Sequence, residues 1–408
     1  MRGSHIPAIR GGQPVRSSML PYGRQWIDRD DCEAVMQVLR SDFLTTGPAI
    51  AQFEAKVASY VGAKYAVAFS SGTAALHAAC HAAGIGAGDE VITSPFTFVA
   101  TANAVLYTGA RPVFADIDIN TYNIDPLCIQ HLITPHTKAL LPVDYAGRPV
   151  DHDEIASIAK KNGLLVIEDA AHALGASYQG KRVGTLADMT MFSFHPVKAV
   201  TTGEGGVVTT DEAYLCERLR QFRSHGVTRD PAKCEHYEGA WYYEMQYLGV
   251  NARMTDIQAA LGNSQMAKLD AFLRRRREIV RQYQIAFARV DGLITPPADD
   301  DAHAGWHLYA IRVAPERLKV GRKEIYDALR AENIGVNVHY IPVYKHPYYR
   351  QLGYSAGLCP VAEQCYDTVI TLPLFPAMSN QDAEDVIEAV RKVFNYYVQH
   401  GHCRDSLS

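Results

Sequence analysis

Met189-Thr190-Met191-Phe192-Ser193-Phe194-His195-Pro196-Val197-Lys198 runs on through Ala199-Val200-Thr201-Thr202 into Gly203-Glu204-Gly205-Gly206. A short apolar strand delivers Ser193. Five residues later comes Lys198, followed by a glycine-rich turn where backbone can approach a ligand closely. A lysine becomes a nucleophile when a pocket lowers its pKa, and imine formation with an aldehyde cofactor is a common use of such a group. Lys198 is the candidate, against the competing reading of a solvated loop lysine.

A second stretch, Gly163-Leu164-Leu165-Val166-Ile167-Glu168-Asp169-Ala170-Ala171-His172-Ala173-Leu174-Gly175, has the form of a buried parallel strand. In open α/β sheets ligands sit beyond the C-terminal ends of such strands, which places Asp169 at the mouth of a crevice. Pyridoxal phosphate chemistry needs a lysine for the imine and an acid that keeps the pyridine nitrogen protonated, and Lys198 and Asp169 suit those roles. Taken alone, Asp169 also reads as a helix N-cap.

Residues Ile167–Gly175, Phe192–Gly206, Ser70–Leu76 and Asn251–Gly262 resemble the motifs of the DegT/DnrJ/EryC1/StrS sugar-nucleotide aminotransferases. The likeness runs from about Leu20 to Val393. It implies fold type I of the pyridoxal phosphate enzymes, an α/β fold whose large domain has a mainly parallel mixed sheet between helices, with a smaller α+β C-terminal domain. The expected divisions are residues 1–19 as a loose arm, 20–254 as the cofactor-binding domain, and 255–408 as an interdomain helix and small domain. Within the family, the 193–198 and 201–206 segments are most similar to the pseudaminic-acid pathway enzymes, which aminate C4 of a UDP-linked 4-keto-6-deoxy-N-acetylhexosamine. The expected product is of the UDP-4-amino-4,6-dideoxy-N-acetyl-β-L-altrosamine type.

The resemblance also assigns residues. Asp169, His172 and Lys198 are expected in catalysis, and Gly72, Thr73, Phe98, Asp169, His172, Ser193, Lys198 and Asn251 around the cofactor. Gly72 and Thr73 open a helix after the Ala66–Phe69 strand, where N–H groups and the helix dipole favour a phosphate. A plain Ser/Thr cap is the competing reading. Phe98 would stack on the pyridine ring, while Phe96 is the better core residue. Asn251 would reach the cofactor phosphate of a neighbouring subunit, which implies a homodimer with shared active sites. Tyr22, Asp42, Phe43, Leu44, Thr45, His195, His339 and Tyr340 are expected to contact substrate. For Tyr22 and the 42–45 segment an N-terminal clasp is an equal alternative, and His195 either touches substrate or packs.

Nucleotide-sugar and L-glutamate are the implied partners. Related dehydratases carry His where Lys198 stands, so dehydration ranks low. A sibling acting on a dTDP- or GDP-sugar, and a cofactor-binding regulator without turnover, stay open as alternatives.

Composition excludes other classes. A net charge of −4 gives no basic footprint for nucleic acid. The run Arg274–Arg277 reads as a solvated helix face. No stretch approaches the roughly 20 apolar residues of a membrane span. The eight cysteines, at 32, 80, 128, 216, 234, 359, 365 and 403, show no CxxC spacing, so neither metal nor disulfides are signalled and a reducing cytoplasm fits. Residues 1–5 are charged and polar where a secretory signal needs an apolar run, and they read as a possible expression remnant. Alternating strands and helices from 111 to 168 argue for a parallel sheet. One long helix is predicted over about 255–290, a loop over Thr228–Gly249, and in the C-terminal part strands over Trp306–Val313 and Gly335–Val338 with helices over Arg322–Glu332 and Gln381–Tyr397.

Overall fold

The computed structural model describes residues 5–298 and 302–400. Its centre is a seven-stranded sheet in the order Tyr65–Phe69, Gly206–Thr210, Met189–Ser193, Leu165–Asp169, Thr137–Leu141, Glu90–Thr93, Arg111–Phe114. Gly206–Thr210 pairs antiparallel with both neighbours, and all the other pairs are parallel. One strand therefore runs against six. The expected mainly parallel mixed sheet is what forms, and near-continuous burial along its strands fits a sheet covered on both faces.

Because the six co-directional strands end at one edge, the loops after Phe69, Thr93, Leu141, Asp169 and Ser193 emerge together. That edge is where a crevice is expected. Gly206 is a close approach between chain segments rather than toward a ligand. A Cβ there would lie 2.4 Å from the Ser71 carbonyl oxygen, so only glycine lets the Ser71–Gly72 loop sit beside Ser193.

The smaller layer is an antiparallel sheet of Leu293–Ile294, Tyr309–Val313 and Val369–Leu372. Helices Arg322–Ala331 and Asn380–His400 pack with it around Ile311, Ile325, Leu329, Val386, Val390 and Phe394. Helix Leu269–Phe287 joins the two units. Its first half, with Leu269, Phe272 and Leu273, packs in the core beside the large sheet. Its second half, with Ile279, Val280, Tyr283 and Phe287, enters the core of the small layer. Among the described residues no helix is long and apolar enough to cross a membrane.

Several sequence expectations are corrected. The single long helix is two helices, Asp256–Met266 and Leu269–Phe287, broken at Ala267–Lys268 where Lys268 has φ −104° and ψ −8°. The Lys268 ammonium is held there by Asp28 and Asp31, at 2.5 and 2.9 Å. The 335–338 segment forms only an isolated bridge at Asn337–Thr371, since its start is spent on Leu20, whose carbonyl takes the Gly335 N–H at 2.7 Å. The sheet partner is instead Val369–Leu372, an apolar run not foreseen as a strand.

Residues 8–16, expected in a loose arm, are tied to the small layer. Ala8 N–H and Val15 N–H each donate to the Glu332 carboxylate at 2.8 Å, and Arg16 pairs with Asp382 and Asp385. Glu332 is fully buried and also meets Lys392 at 2.9 Å. Residues 1–4 of the suspected remnant lie outside the described residues.

The Arg274–Arg277 run is not simply a solvated face. Arg276 is 1% exposed, and its guanidinium donates to the carbonyls of Leu374 at 2.8 Å and of Trp306 and His307 at 3.3 Å.

Candidate active site

A cavity of about 580 Å³ opens at the C-terminal edge of the sheet, between it and the 337–340 segment of the small layer. Its wall gathers Tyr22, Gly72, Thr73, Phe98, Asp169, His172, Ser193, His195, Lys198, His339 and Tyr340, eleven of the residues expected from sequence. Asn251 and Asp42–Thr45 do not line it. Thr45 bridges to Thr255 and Leu44 accepts from Asp256 N–H, while Asn251 is exposed and bridges to Ser224.

Lys198 follows Ser193 by one turn of irregular chain, its N–H bonded to the His195 carbonyl at 2.9 Å. Burial of the amine, with the Arg276 charge adding to it, brings its pKa down to about 8 against the opposing pull of Asp169. About a tenth of the amine is then neutral and nucleophilic at pH 7, far more than in an ordinary lysine.

Asp169 ends its strand and is 5% exposed. Burial raises its pKa from the ordinary carboxylate range, while Thr101 Oγ1–H at 2.6 Å, the Ala171 N–H at 3.1 Å and the charge of Lys198 favour the ionised form. Thr97 Oγ1 lies 2.8 Å from Thr101 Oγ1, which extends the hydroxyl chain.

Three imidazoles face the amine. His172, His307 and His339 are 7%, 5% and 7% exposed, and burial with the nearby Lys198 charge pushes all three pKa values down, that of His339 to about 4. All three rings are neutral at neutral pH. His172 Nδ1 accepts the Ala146 N–H at 3.2 Å, so the ring proton belongs on Nε2, which faces Tyr340 Oη at 3.2 Å. Tyr340 stacks with His172 at a centroid distance of 6.1 Å, and Phe98 lies beyond it at 6.2 Å, 58% exposed. Phe96 is fully buried in the core.

Helix Gly72–Ala82 begins beside this group. Ser71 caps it by accepting the Ala74 N–H at 3.1 Å, so the Ser/Thr cap is present. Among the described residues no hydrogen bond takes up the N–H groups of Gly72 and Thr73, which line the cavity and remain available to an anion. A Cβ on Gly72 would sit 3.2 Å from Ser193 Oγ. A buried amine, a buried carboxylate beyond it and a helix N-terminus with free donors make a fitting set for a pyridine aldehyde that carries a phosphate.

Sequence reasoning missed Thr101, His307 and Arg276. Thr101 is a polar β-branched residue at a buried position of helix Ala100–Leu106. His307 and Arg276 carry no local signal, because their roles depend on the small layer folding back over the sheet.

Comparison with known proteins agrees with this geometry. The DegT/DnrJ/EryC1/StrS aminotransferase family model matches residues 25–391. Over 380 residues the chain is 46% identical to the spore coat polysaccharide biosynthesis protein SpsC of Bacillus subtilis, covering 93% of this chain and 98% of that one. It superposes with a TM-score of 0.87 on Helicobacter pylori PseC, an aminotransferase involved in the biosynthesis of pseudoaminic acid, at 34% identity over 93% of this chain and 100% of that one. The PLP-form of the putative sugar aminotransferase Spr1654 from Streptococcus pneumoniae gives the same TM-score at 30% identity, covering 93% of this chain and 99% of that one. The chain belongs to the DegT/DnrJ/EryC1/StrS aminotransferase family and is a pyridoxal 5′-phosphate-dependent sugar aminotransferase.

Proposed function

We propose that the enzyme moves an amino group from L-glutamate to C4 of a UDP-linked 4-keto-6-deoxy-N-acetylhexosamine. The observation that carries the reading is the convergence on one cavity of Lys198, Asp169 and the free N–H groups of Gly72 and Thr73. The choice of sugar is supported by the 193–198 and 201–206 segments and by the likeness to PseC.

Pyridoxal 5′-phosphate, when bound, supplies the electron sink that lets the donor Cα lose a proton. The chain's own residues do the rest. Asp169 would keep the ring nitrogen protonated, Gly72 and Thr73 would bind the phosphate, and Phe98 would offer an aromatic face to the ring. Lys198 takes the proton from the donor Cα and returns it at the cofactor C4′, a task suited to an amine with a pKa of about 8. His172, kept neutral, orients Tyr340 through Nε2 without adding a charge beside the amine.

The working unit in this reading is a homodimer. Support comes from the exposure of Asn251 and of Asp42–Thr45, none of which lines the chain's own cavity, with Phe43 and Leu44 half exposed. Across a two-fold axis both segments would enter the partner's site together, Asn251 toward the phosphate and residues 42–45 toward the sugar nucleotide. We place the enzyme in the cytoplasm, where the seven cysteines of the described residues, all free, would stay reduced.

The test is a competition assay with L-glutamate as donor and UDP-, dTDP- and GDP-linked 4-keto-6-deoxy sugars offered together. Product identification by mass and NMR should give the UDP sugar aminated at C4. Preference for another nucleotide, or delivery to C3, overturns the substrate assignment.

A further inference from the structure

Behind Asp169, on the opposite face of its strand, three titratable side chains meet in the interior. Strand alternation turns Glu168 away from the cavity. There it meets Asp144, from the loop after the Thr137–Leu141 strand, and His152, from the first turn of helix His152–Asn162. Asp144 and Glu168 are 0% exposed and His152 is 5% exposed. Their nearest ligand-capable atoms all lie within 4.8 Å of one another.

The hydrogen bonds say where the protons are. Glu168 Oε2 accepts Thr190 Oγ1–H at 2.8 Å, and Glu168 Oε1 meets His152 Nε2 at 2.9 Å. Asp144 Oδ1 accepts the Val150 N–H at 3.0 Å, while Asp144 Oδ2, Glu168 Oε1 and His152 Nε2 are all buried without a hydrogen bond of good geometry. Two carboxylates facing each other in a dry interior are not both ionised. The Thr190 hydroxyl on Oε2 and the His152 ring close against Oε1 make Glu168 the charged one, and Asp144 Oδ2 is where the proton belongs. Burial and the Glu168 charge raise the proton affinity of Asp144, while the His152 and Thr190 contacts, with Asp144 itself, lower that of Glu168. A divalent ion held by the same atoms would set its ligands about 3.3 Å apart along a tetrahedral edge. The 2.9 Å contact between His152 and Glu168 is shorter than that edge.

What this acid fixes is the 142–147 segment. Pro142 O accepts the Asp169 N–H at 2.9 Å, and Asp144 N–H donates to Asp169 O at 3.1 Å. Ala146 N–H donates to His172 Nδ1 at 3.2 Å, and the Ala146 carbonyl accepts the His307 N–H at 2.8 Å. We infer that Asp144 is an un-ionised carboxylic acid whose O–H donates to Glu168, and that this buried acid is a positioning residue for Asp169 and His172. The functional part of the inference rests on the cofactor-site reading given above; the protonation part does not.

Two measurements test it. In infrared difference spectra of the purified protein at neutral pH, with and without cofactor, wild type should show the C=O stretch of an un-ionised carboxylic acid that Asp144→Asn lacks. Absence of that band overturns the protonation state whatever the enzyme's activity. Asp144→Asn, a neutral donor of similar shape, should keep cofactor affinity and the pH midpoint of cofactor absorbance close to wild type. Asp144→Leu, which leaves Glu168 without that donor, should weaken cofactor binding about tenfold or more and move the midpoint. If both variants bind cofactor as wild type does and only melt earlier, Asp144 is structural and the positioning role is lost. If Asp144→Asn is as damaged as Asp144→Leu, or if metal analysis finds one divalent ion per chain that Asp144→Asn releases, the charge matters and the proposal fails.

Discussion

Thr101 Oγ1–H donates to Asp169 Oδ2 at 2.6 Å, joining the helix after the Glu90–Thr93 strand to the end of the Leu165–Asp169 strand. A short bond of this kind to a charged acceptor is among the stronger ones in a protein. It fixes one carboxylate oxygen and leaves Asp169 with a defined aim into the cavity. Thr101→Val keeps the shape and removes the donor, so cofactor affinity should fall about tenfold, corresponding to about 1.5 kcal/mol for a hydrogen bond to a charged group. Fluorescence titration of cofactor into the apo-protein checks this, and unchanged affinity would remove Thr101 from the account. Asp169→Asn should cost orders of magnitude in turnover with a smaller loss in binding, since the ring nitrogen then loses its anionic partner.

Lys198 should be the attachment point. Borohydride treatment and peptide mass mapping should place the fixed cofactor on Lys198, and Lys198→Ala should keep the fold and lose transamination. A depressed amine pKa means that the reactive neutral form is half populated at about pH 8, dominates above it and is lost as pH falls through that value. The rate of cofactor attachment to apo-protein should therefore rise with pH and level off above about 8. A rate still climbing steeply near pH 10 would mean an ordinary, solvated lysine.

Arg276 gives that midpoint a second handle. Its buried positive charge lowers the Lys198 pKa, so Arg276→Met should move the attachment midpoint toward higher pH. The same change strips donors from the Leu374, Trp306 and His307 carbonyls, at a cost of about 2–4 kcal/mol in stability. Denaturant melts and the pH profile read the two effects separately. An unmoved midpoint in a folded variant would cut Arg276 from the electrostatics of the site.

Mixing two inactive variants tests sharing of the site. Lys198→Ala and Asn251→Ala subunits, each inactive or nearly so alone, should regain part of the activity when unfolded and refolded together, because some mixed dimers contain one intact site. Light scattering that finds an active monomer would end this argument.

The legible parts of this molecule are those set by short-range pattern. The strands that end at Asp169 and Ser193, the helix start at Gly72, and Lys198 are all local sequence events, and the structure brings them to one cavity. Arg276 was misread because its neighbours Arg274 and Arg277 are ordinary helix-surface residues, while three carbonyls from distant segments make its own position habitable for a charge. The break at Ala267–Lys268 escaped because the apolar stripe continues across it on both helices. Asp144 carries no local signal, and only the fold brings it against Glu168. Long-range polar contacts leave no periodic trace in sequence, and that is where the reading stopped.

The anchoring of residues 8–16 on Glu332, Asp382 and Asp385 sets an order on biosynthesis. The first of these contacts spans 324 positions of the chain. At ribosomal speeds that separation is roughly 15–65 s of translation. Until then the N-terminal segment has no dock, and neither does the Leu20 carbonyl that waits for Gly335. Tyr22, two residues further on, is part of the cavity wall. The large sheet can form while the chain is still being made, but the wall that meets the substrate is finished only after the last helix leaves the ribosome.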